Sequence, residues 1–536
     1  MSFDALGLFT WLWAQVMLLQ VAKLTHPLRA DGAPHLSDLG LLGALSLCIW
    51  PAVMGLSCLL AFLVPARAWS TLQLVLVSLT VLWFTGSFSN HVFMDMAVCV
   101  AVLVTFSRDR ARWVGQAAAA IRAFLIALYF VTALHKMNSD WGKPRNSCCT
   151  LFVGGILALG PLRGLQPLAH LVMDIAPRLA TATELGLPAL LLWKRFDRVT
   201  AVFGSVFHLA ICQMLSPMSV FPFSLLMAPP YVFLIPDRAV ALSQLLRPWA
   251  PCLVVGYAVA CMLWTPIMAD DLPPGAAPFE YPPYGVWAAG VAWCSLVYLG
   301  LIAAAVWPFK QGYPVRAHSV LPTLRGRMLA VVVLLFGLTP YFGIRNHPAL
   351  AMFSNLRTEG GRGNHLFLGD DFDFLGWQRD YVTVLSTDIP ALQLAQVDLA
   401  PLFTPATKQA LNSTGVEQEF WITPPLSAWP HPPTREFRPY SMPFLELRRR
   451  VAPLRRKGVK SGRVSYTRTI ARARLTMPWL WNYLGVKNLV ADQVRPNITY
   501  DLAEGRDPEL EQELPWWLAP VARFRTFDVD YSPCRH

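Results

Sequence analysis

Charge is scarce in this chain of 536 residues: 15% are Asp, Glu, Lys or Arg, against roughly 25% in an ordinary globular domain. That shortage, with 54% hydrophobic residues and a mean hydropathy of +0.41, excludes a disordered chain and most water-soluble folds. Metal-site spacings are missing too. Ten Cys occur, but no CxxC and no Cys/His ligand pattern. Cys48, Cys58, Cys99, Cys212, Cys252, Cys261 and Cys294 lie in apolar stretches, where a thiol behaves as a small hydrophobe. Cys148 and Cys149 form a vicinal pair, which rarely bonds to itself, and Cys534 stands alone. The GxxxxGK[ST] phosphate loop is absent, and no internal repeat is visible. Apolar 5–22 has neither a basic region before it nor a small-residue cleavage site, and reads as an uncleaved first span.

What the chain has instead is long apolar runs. A membrane span needs about 20 apolar residues, and candidates fall at 5–23, 38–64, 69–87, 91–106, 113–137, 179–193, 199–215, 218–236, 251–269, 287–307 and 326–343. The expected fold is a polytopic α-helical membrane bundle of about nine to eleven spans over 1–345. A C-terminal soluble α+β or mainly-β domain, probed by no further apolar run, is expected over 346–536. Gly154, Gly155, Gly160, Pro161 and Pro167 break 150–176, which reads as re-entrant or interfacial. The Lys/Arg bias of short loops marks those at Arg108–Arg112, Lys194–Arg198 and Lys310–Arg327 as cytoplasmic, and the acidic 270–286 loop as outside. The expected location is multi-pass, in a bacterial inner membrane, with the tail non-cytoplasmic. An Arg-over-Lys usage of 36 to 9 fits a GC-rich bacterial genome.

In the tail, YVTVL (381–385) and SGRVSYTRTIARARL (461–475) alternate as strands do, and the Pro-rich 424–443 reads as an extended connector. Eleven Lys or Arg and no acid fall between Leu447 and Leu475, accounting for most of the net charge of +12. The plainest reading is a solvated basic face. As partners, anionic lipid or an acidic protein surface rank ahead of nucleic acid.

Ionisable groups inside apolar runs ask for an explanation. Lys136 ends the run 113–137 in YFVTALHKMNSDW (129–141). It either lifts its ammonium to an interface or is a desolvated amine able to act as a base. Asn90 and His91 open the run 91–106, Glu184 lies within LATATELGLPALLLW (179–193), and His208 sits in SVFHLAICQML (205–215). Lys136, Glu184 and His208 on neighbouring segments point to a shared polar cavity. In MFSNLRTEGGRGNHLFL (352–368), Gly360, Gly361 and Gly363 permit a tight turn among Arg357, Glu359, Arg362, Asn364 and His365. The density of polar residues reads either as a binding loop or as an ordinary turn with an Arg–Glu pair.

YFVTALHKMNSDW is similar, without gaps, to the segment around the catalytic lysine of vitamin K-dependent gamma-carboxylase, with Tyr129, Phe130, Lys136, Asp140 and Trp141 at matching places. FHLAICQMLSPMSVFPFSLLMAPPYVFL (207–234) resembles that family's following helices, and Asn90-His91 resembles an Asn-His pair in an earlier one. The likeness extends over about 5–310 and identifies the chain with the horizontally transferred transmembrane (HTTM) domain group. It implies a lyase in which Lys136 deprotonates a reduced, vitamin K-like quinone, with oxygen then driving carboxylation of a glutamate. His91 and His208 would stabilise developing oxyanion charge. Asn90, Glu184 and Trp141, with Arg357, Glu359, Arg362 and His365 of the tail loop, would bind substrate. No metal is expected. Where the family carries a second lysine before its base, this chain has His135. A non-catalytic carrier or assembly protein that binds a lipid or hydrophobic ligand is the competing expectation.

Overall fold

A computed structural model describes residues 4–25, 40–65, 67–84, 90–143, 147–150, 153, 168–213, 221–238, 242–243, 284–307, 323–346, 348–351, 353–361, 363–369, 372–373, 375–389, 392, 397–398, 421–422, 439–456, 459, 461–471, 493–515, 517–518 and 521–527. The chain divides into two compact units. One comprises Met1–Phe130, Ala182–Pro273 and Ala277–Leu334; the other comprises Val131–Thr181, Pro274–Ala276 and Leu335–His536.

The first unit is helical. It contains α1 (Ala5–Thr25), α2 (Gly40–Leu63), α3 (Ala68–Phe84), α4 (Asn90–Val104), most of α5 (Arg110–Lys136), the end of α6 (Ala169–Leu191), α7 (Asp197–Cys212), α8 (Phe221–Val232), α9 (Tyr284–Val306) and most of α10 (Leu324–Leu338). Helix α5 starts where Asp109 Oδ1 accepts the backbone N–H of Ala111 at 3.0 Å, an N-cap that satisfies one orphan donor of the first turn. Its last turn carries His135 and Lys136. Helix α1 is central: Phe9 stacks with Trp13 and meets Phe233 after α8, Thr10 reaches Thr71 of α3 at 2.7 Å, and Gln15 accepts from Trp293 of α9 at 2.8 Å.

This architecture corrects the expected bundle of nine to eleven spans. Among the described residues one helix, Arg110–Lys136, is long and apolar enough to cross a membrane; the other apolar helical segments run 10–17 residues. At α4, α8 and α10 length is the physical reason. At about 1.5 Å per residue, the 15 residues of α4 or α10 reach about 22 Å, short of a hydrocarbon core of about 30 Å. Helix α8, which carries Pro229 and Pro230, has 12 residues. The alternation of loops across a bilayer that rested on the larger count goes with it. The candidate run 251–269, most of 150–167 and the connector up to 438 lie outside the described residues; from Ala169 the chain is helical in α6.

The second unit carries an antiparallel sheet ordered β4-β1-β5-β6, with β1 (Asp380–Thr387), β4 (Tyr440–Pro443), β5 (Arg463–Ile470) and β6 (Gln493–Asp501); a two-stranded pair joins β2 (Val397–Asp398) to β3 (Trp421–Ile422). The strands read from 381–385 and 461–475 are β1 and β5, and the last residues of the Pro-rich stretch form β4. Period-two alternation turns Val382, Val384, Val464 and Tyr466 to one face, where Leu447 and Val451 of α11 (Phe444–Arg456) complete the core. The outer edge of β4 is closed by reciprocal 2.7 Å hydrogen bonds between Ser441 and Phe527. A short α12 (Pro508–Glu511) is capped by Asp507.

Candidate functional site

In the second unit the end of α5 is closed by Asn138. Its Nδ2 donates to His135 O at 2.8 Å and to Ser354 O at 2.7 Å. Its Oδ1 accepts the N–H groups of Asp140 and Trp141 at 3.1 and 2.8 Å. This Asx turn reverses the chain and lays it against the 353–369 loop. Ser139 N donates to Asn364 O and Leu366 N to Met137 O, both at 2.9 Å. Asn364 clasps the two segments: its Nδ2 donates to Asp140 Oδ2 at 2.8 Å and to Asn355 O at 2.9 Å, while its Oδ1 accepts Arg357 N–H at 2.8 Å.

Lys136 sits in this turn, 9% exposed, with Nζ 5.3 Å from the centre of the Trp141 ring. Trp141 is held in turn by its indole N–H, which donates to Pro177 O at 2.9 Å and Thr181 Oγ1 at 2.8 Å. His135, fully buried, faces two carbonyl oxygens, Gly337 O at 2.8 Å and Leu350 O at 3.1 Å. His365 presents one ring nitrogen to each partner type. Nε2 donates to Leu134 O at 2.9 Å, and Nδ1 accepts Phe367 and Leu368 N–H at 3.1 and 2.9 Å. Those partners require the neutral Nε2–H tautomer, and burial holds the imidazole below its ordinary pKa against the pull of the Leu134 carbonyl.

The loop is folded inward. Glu359 accepts from Asn346 Nδ2 at 2.6 Å, Thr358 N at 2.9 Å and Arg525 Nε at 2.7 Å. Burial pushes its carboxyl up, but the Arg525 guanidinium and the hydrogen bonds outweigh that and hold it below the ordinary carboxylate value. Gly360 and Gly361 take φ of 68° and 65° as the motif requires; Gly363 is not among the positive-φ glycines. Leu350 and Phe353 also have positive φ, at 58° and 51°, a conformation costing about 1–3 kcal/mol per residue and kept where surroundings enforce it. Gln378, whose carbonyl accepts Gly360 N–H at 2.8 Å, is fully buried with neither side-chain polar atom hydrogen-bonded among the described residues. Arg357 is half-buried, and Arg362 lies outside the described residues.

A different cluster occupies the first unit. Tyr129 OH lies 2.6 Å from His208 Nε2 and 2.5 Å from Tyr231 OH. Tyr298 stacks on the His208 ring at 5.6 Å and donates to Ser224 O. Gly204 makes this possible, since a Cβ there would overlap the Tyr231 hydroxyl. His208 Nδ1 and Ser205 Oγ have no hydrogen-bond partner among the described residues. His91 meets Phe223 at 6.1 Å, and Phe223 meets His208 at 5.3 Å. Asn90 and Glu184 are buried in this unit. Its buried Arg122–Asp197 pair was not anticipated. Of the residues singled out in the sequence, Lys136, Trp141, Arg357, Glu359 and His365 thus belong to one unit and Asn90, His91, Glu184 and His208 to the other.

Sequence reading placed Asn364 in the loop but not as its clasp, and missed Asn138 and Asn355, although an Asn-Ser-Asp run after a helix is a turn signal. It also missed the pairing of the basic segment. Arg449 and Arg450 reach the fully buried Glu446 at 2.5 and 2.8 Å, Arg463 pairs with Asp501 at 2.7 Å, and Arg468 pairs with Asp380 at 2.7 Å and with Glu509. Cys148 is disulfide-bonded and Cys149 is buried. Among the described residues no group of three or more His, Cys, Asp or Glu is placed to hold a metal. Comparison of the chain with protein-family models, with curated proteins and with solved structures returned no match.

Proposed function

We propose that the end of α5 is a proton-abstraction site of the carboxylase-like kind, with Lys136 as its base. The observation that carries this reading is an amine withdrawn from water, against a flat indole face, at the end of the one described helix long and apolar enough to cross a membrane. A lysine removes a proton only as the neutral amine, and Lys136 is buried beside an aromatic ring at a helix end. Asn138, Asn364 and Asp140 hold the turn that carries Lys136. His365, with its own proton committed to Leu134 O, acts there as a strut. A buried amine beside an aromatic wall fits a reduced quinone in kind, and such a group would supply the acidic hydroxyl and the redox chemistry.

The test uses membranes containing the full chain, supplied with a reduced quinone and labelled bicarbonate. Wild type should oxidise the quinone and incorporate label. Lys136→Ala should lose about 10²–10⁴-fold in rate, the contribution of a general base, while reaching the membrane and unfolding at an unchanged temperature. Turnover of neither reagent by wild type, or full turnover by the variant, overturns the reading.

One observation favours the carrier reading instead. The Lys136 amine over the Trp141 ring is a cation–π arrangement, which stabilises the ammonium. In a carrier, Lys136→Arg keeps that contact and should leave ligand binding intact.

A further inference from the structure

The outer face of α7 is patterned the wrong way round. Val199, Val202, Phe203 and Val206 follow the helical spacing of a core-facing stripe, yet Val199 is 52% exposed and Val206 48%. With Ala305 and Val306 of α9 they line an open groove of about 470 Å³, with Arg198 at its mouth. That volume falls within the roughly 300–1,000 Å³ of small-molecule sites. At the same end, Lys194 and Arg195 form a 3-10 turn just before α7, and Arg238 donates to Trp307 O at 3.0 Å. Asp197 pairs with Arg122, and Asp237 with Arg198 at 2.6 Å and Arg238 at 3.5 Å, so two acids stand among Arg122, Lys194, Arg195, Arg198 and Arg238 and the net charge at this end is positive. Trp193 and Trp307, 53% and 62% exposed, flank it.

Basic residues and exposed indoles together at the head of an apolar groove match the layers of a lipid leaflet: phosphate, interface, hydrocarbon. The surroundings continue the pattern. Leu56 and Leu59 of α2, Leu76 of α3, Leu296 and Leu299 of α9 and Val332 of α10 are also turned outward. Apolar side chains exposed on helix after helix mark a surface that meets a membrane or a partner.

We infer that the α7–α9 groove binds one anionic phospholipid, an acyl chain lying along Val199, Val202, Phe203 and Val206 and the phosphate at Lys194, Arg195 and Arg198. This site is independent of the role of Lys136. The test is native mass spectrometry of the full chain in non-ionic detergent, with phosphatidylglycerol and phosphatidylcholine added at equal concentration. Phosphatidylglycerol should be retained in preference. Arg195→Gln and Arg198→Gln should each weaken that preference about fivefold, without a change in helical circular dichroism, since the exposed Arg198–Asp237 pair contributes little to the fold. Val202→Trp, which fills the groove, should cut retention of both lipids. Equal retention of the two lipids, displacement of phosphatidylglycerol by millimolar inorganic phosphate, or a lipid-free dimer using this face would each overturn the assignment.

Discussion

A carboxylate taken out of water persists as an anion only if donors answer its charge, and Glu359 has three of them, Asn346, Thr358 and Arg525. Replacing it with Gln leaves the Arg525 guanidinium without its counter-charge, which should cost about 3–5 kcal/mol, the range for breaking a buried pair. The sign with pH follows from a folded-state pKa below the ordinary 4.5. The ionised carboxylate stabilises the fold at pH values above that ordinary value, and the stabilisation is lost as pH falls through the lower, folded-state value. Thermal unfolding across an acid series should show wild type and Glu359→Gln far apart near neutrality and converging in acid. A constant gap at all pH values would show that the charge is not what Glu359 contributes. The Arg-Glu-Gly cluster was legible as an unusual loop, but its partner Arg525 lies 166 residues away and left no local signal.

Between elements, the approach of α5 to α10 depends on the missing side chain of Gly337. A Cβ there would overlap Val131, whose β-branched side chain has little freedom to turn aside. The closeness also lets His135 reach Gly337 O at 2.8 Å. Gly337→Ala should destabilise the chain by about 1–3 kcal/mol through overpacking, and Val131→Ala in the same chain should recover much of the loss, a coupling expected of side chains in contact. Additive losses in the double variant would place the strain elsewhere. The strands at β1 and β5 were readable because alternation is local, two residues to the period. The pairing of Arg468 with Asp380 was not, because it joins strands separated by 88 residues. Eleven clustered basic residues therefore read as a solvated basic face, whereas Arg449, Arg450, Arg463 and Arg468 are committed to Glu446, Asp380, Asp501 and Glu509.

At the scale of the molecule, large apolar side chains cover the outside of the helical unit as well as its core, with Leu63, Trp83, Val306 and Trp307 each more than 60% exposed. A surface of that kind is poorly tolerated by water. Alkaline carbonate should leave the full chain in the membrane pellet, and non-ionic detergent should release it as a monodisperse species. Release by carbonate alone would mean that another protein covers this exterior.

Composition alone determined that apolar residues would outnumber what one core can bury, because a shortage of charge is a property of the chain in any conformation. It also marked Lys136 and His208 as anomalies within their runs. How many helices are long enough to cross a bilayer was decided only in three dimensions. A hydropathy run records apolarity but not where capping residues and prolines end the helix, nor which face a neighbour covers. The clasp of Asn364 on Asp140, 224 residues apart, was settled there too, since a hydrogen bond depends on distance in space and the sequence records only distance along the chain.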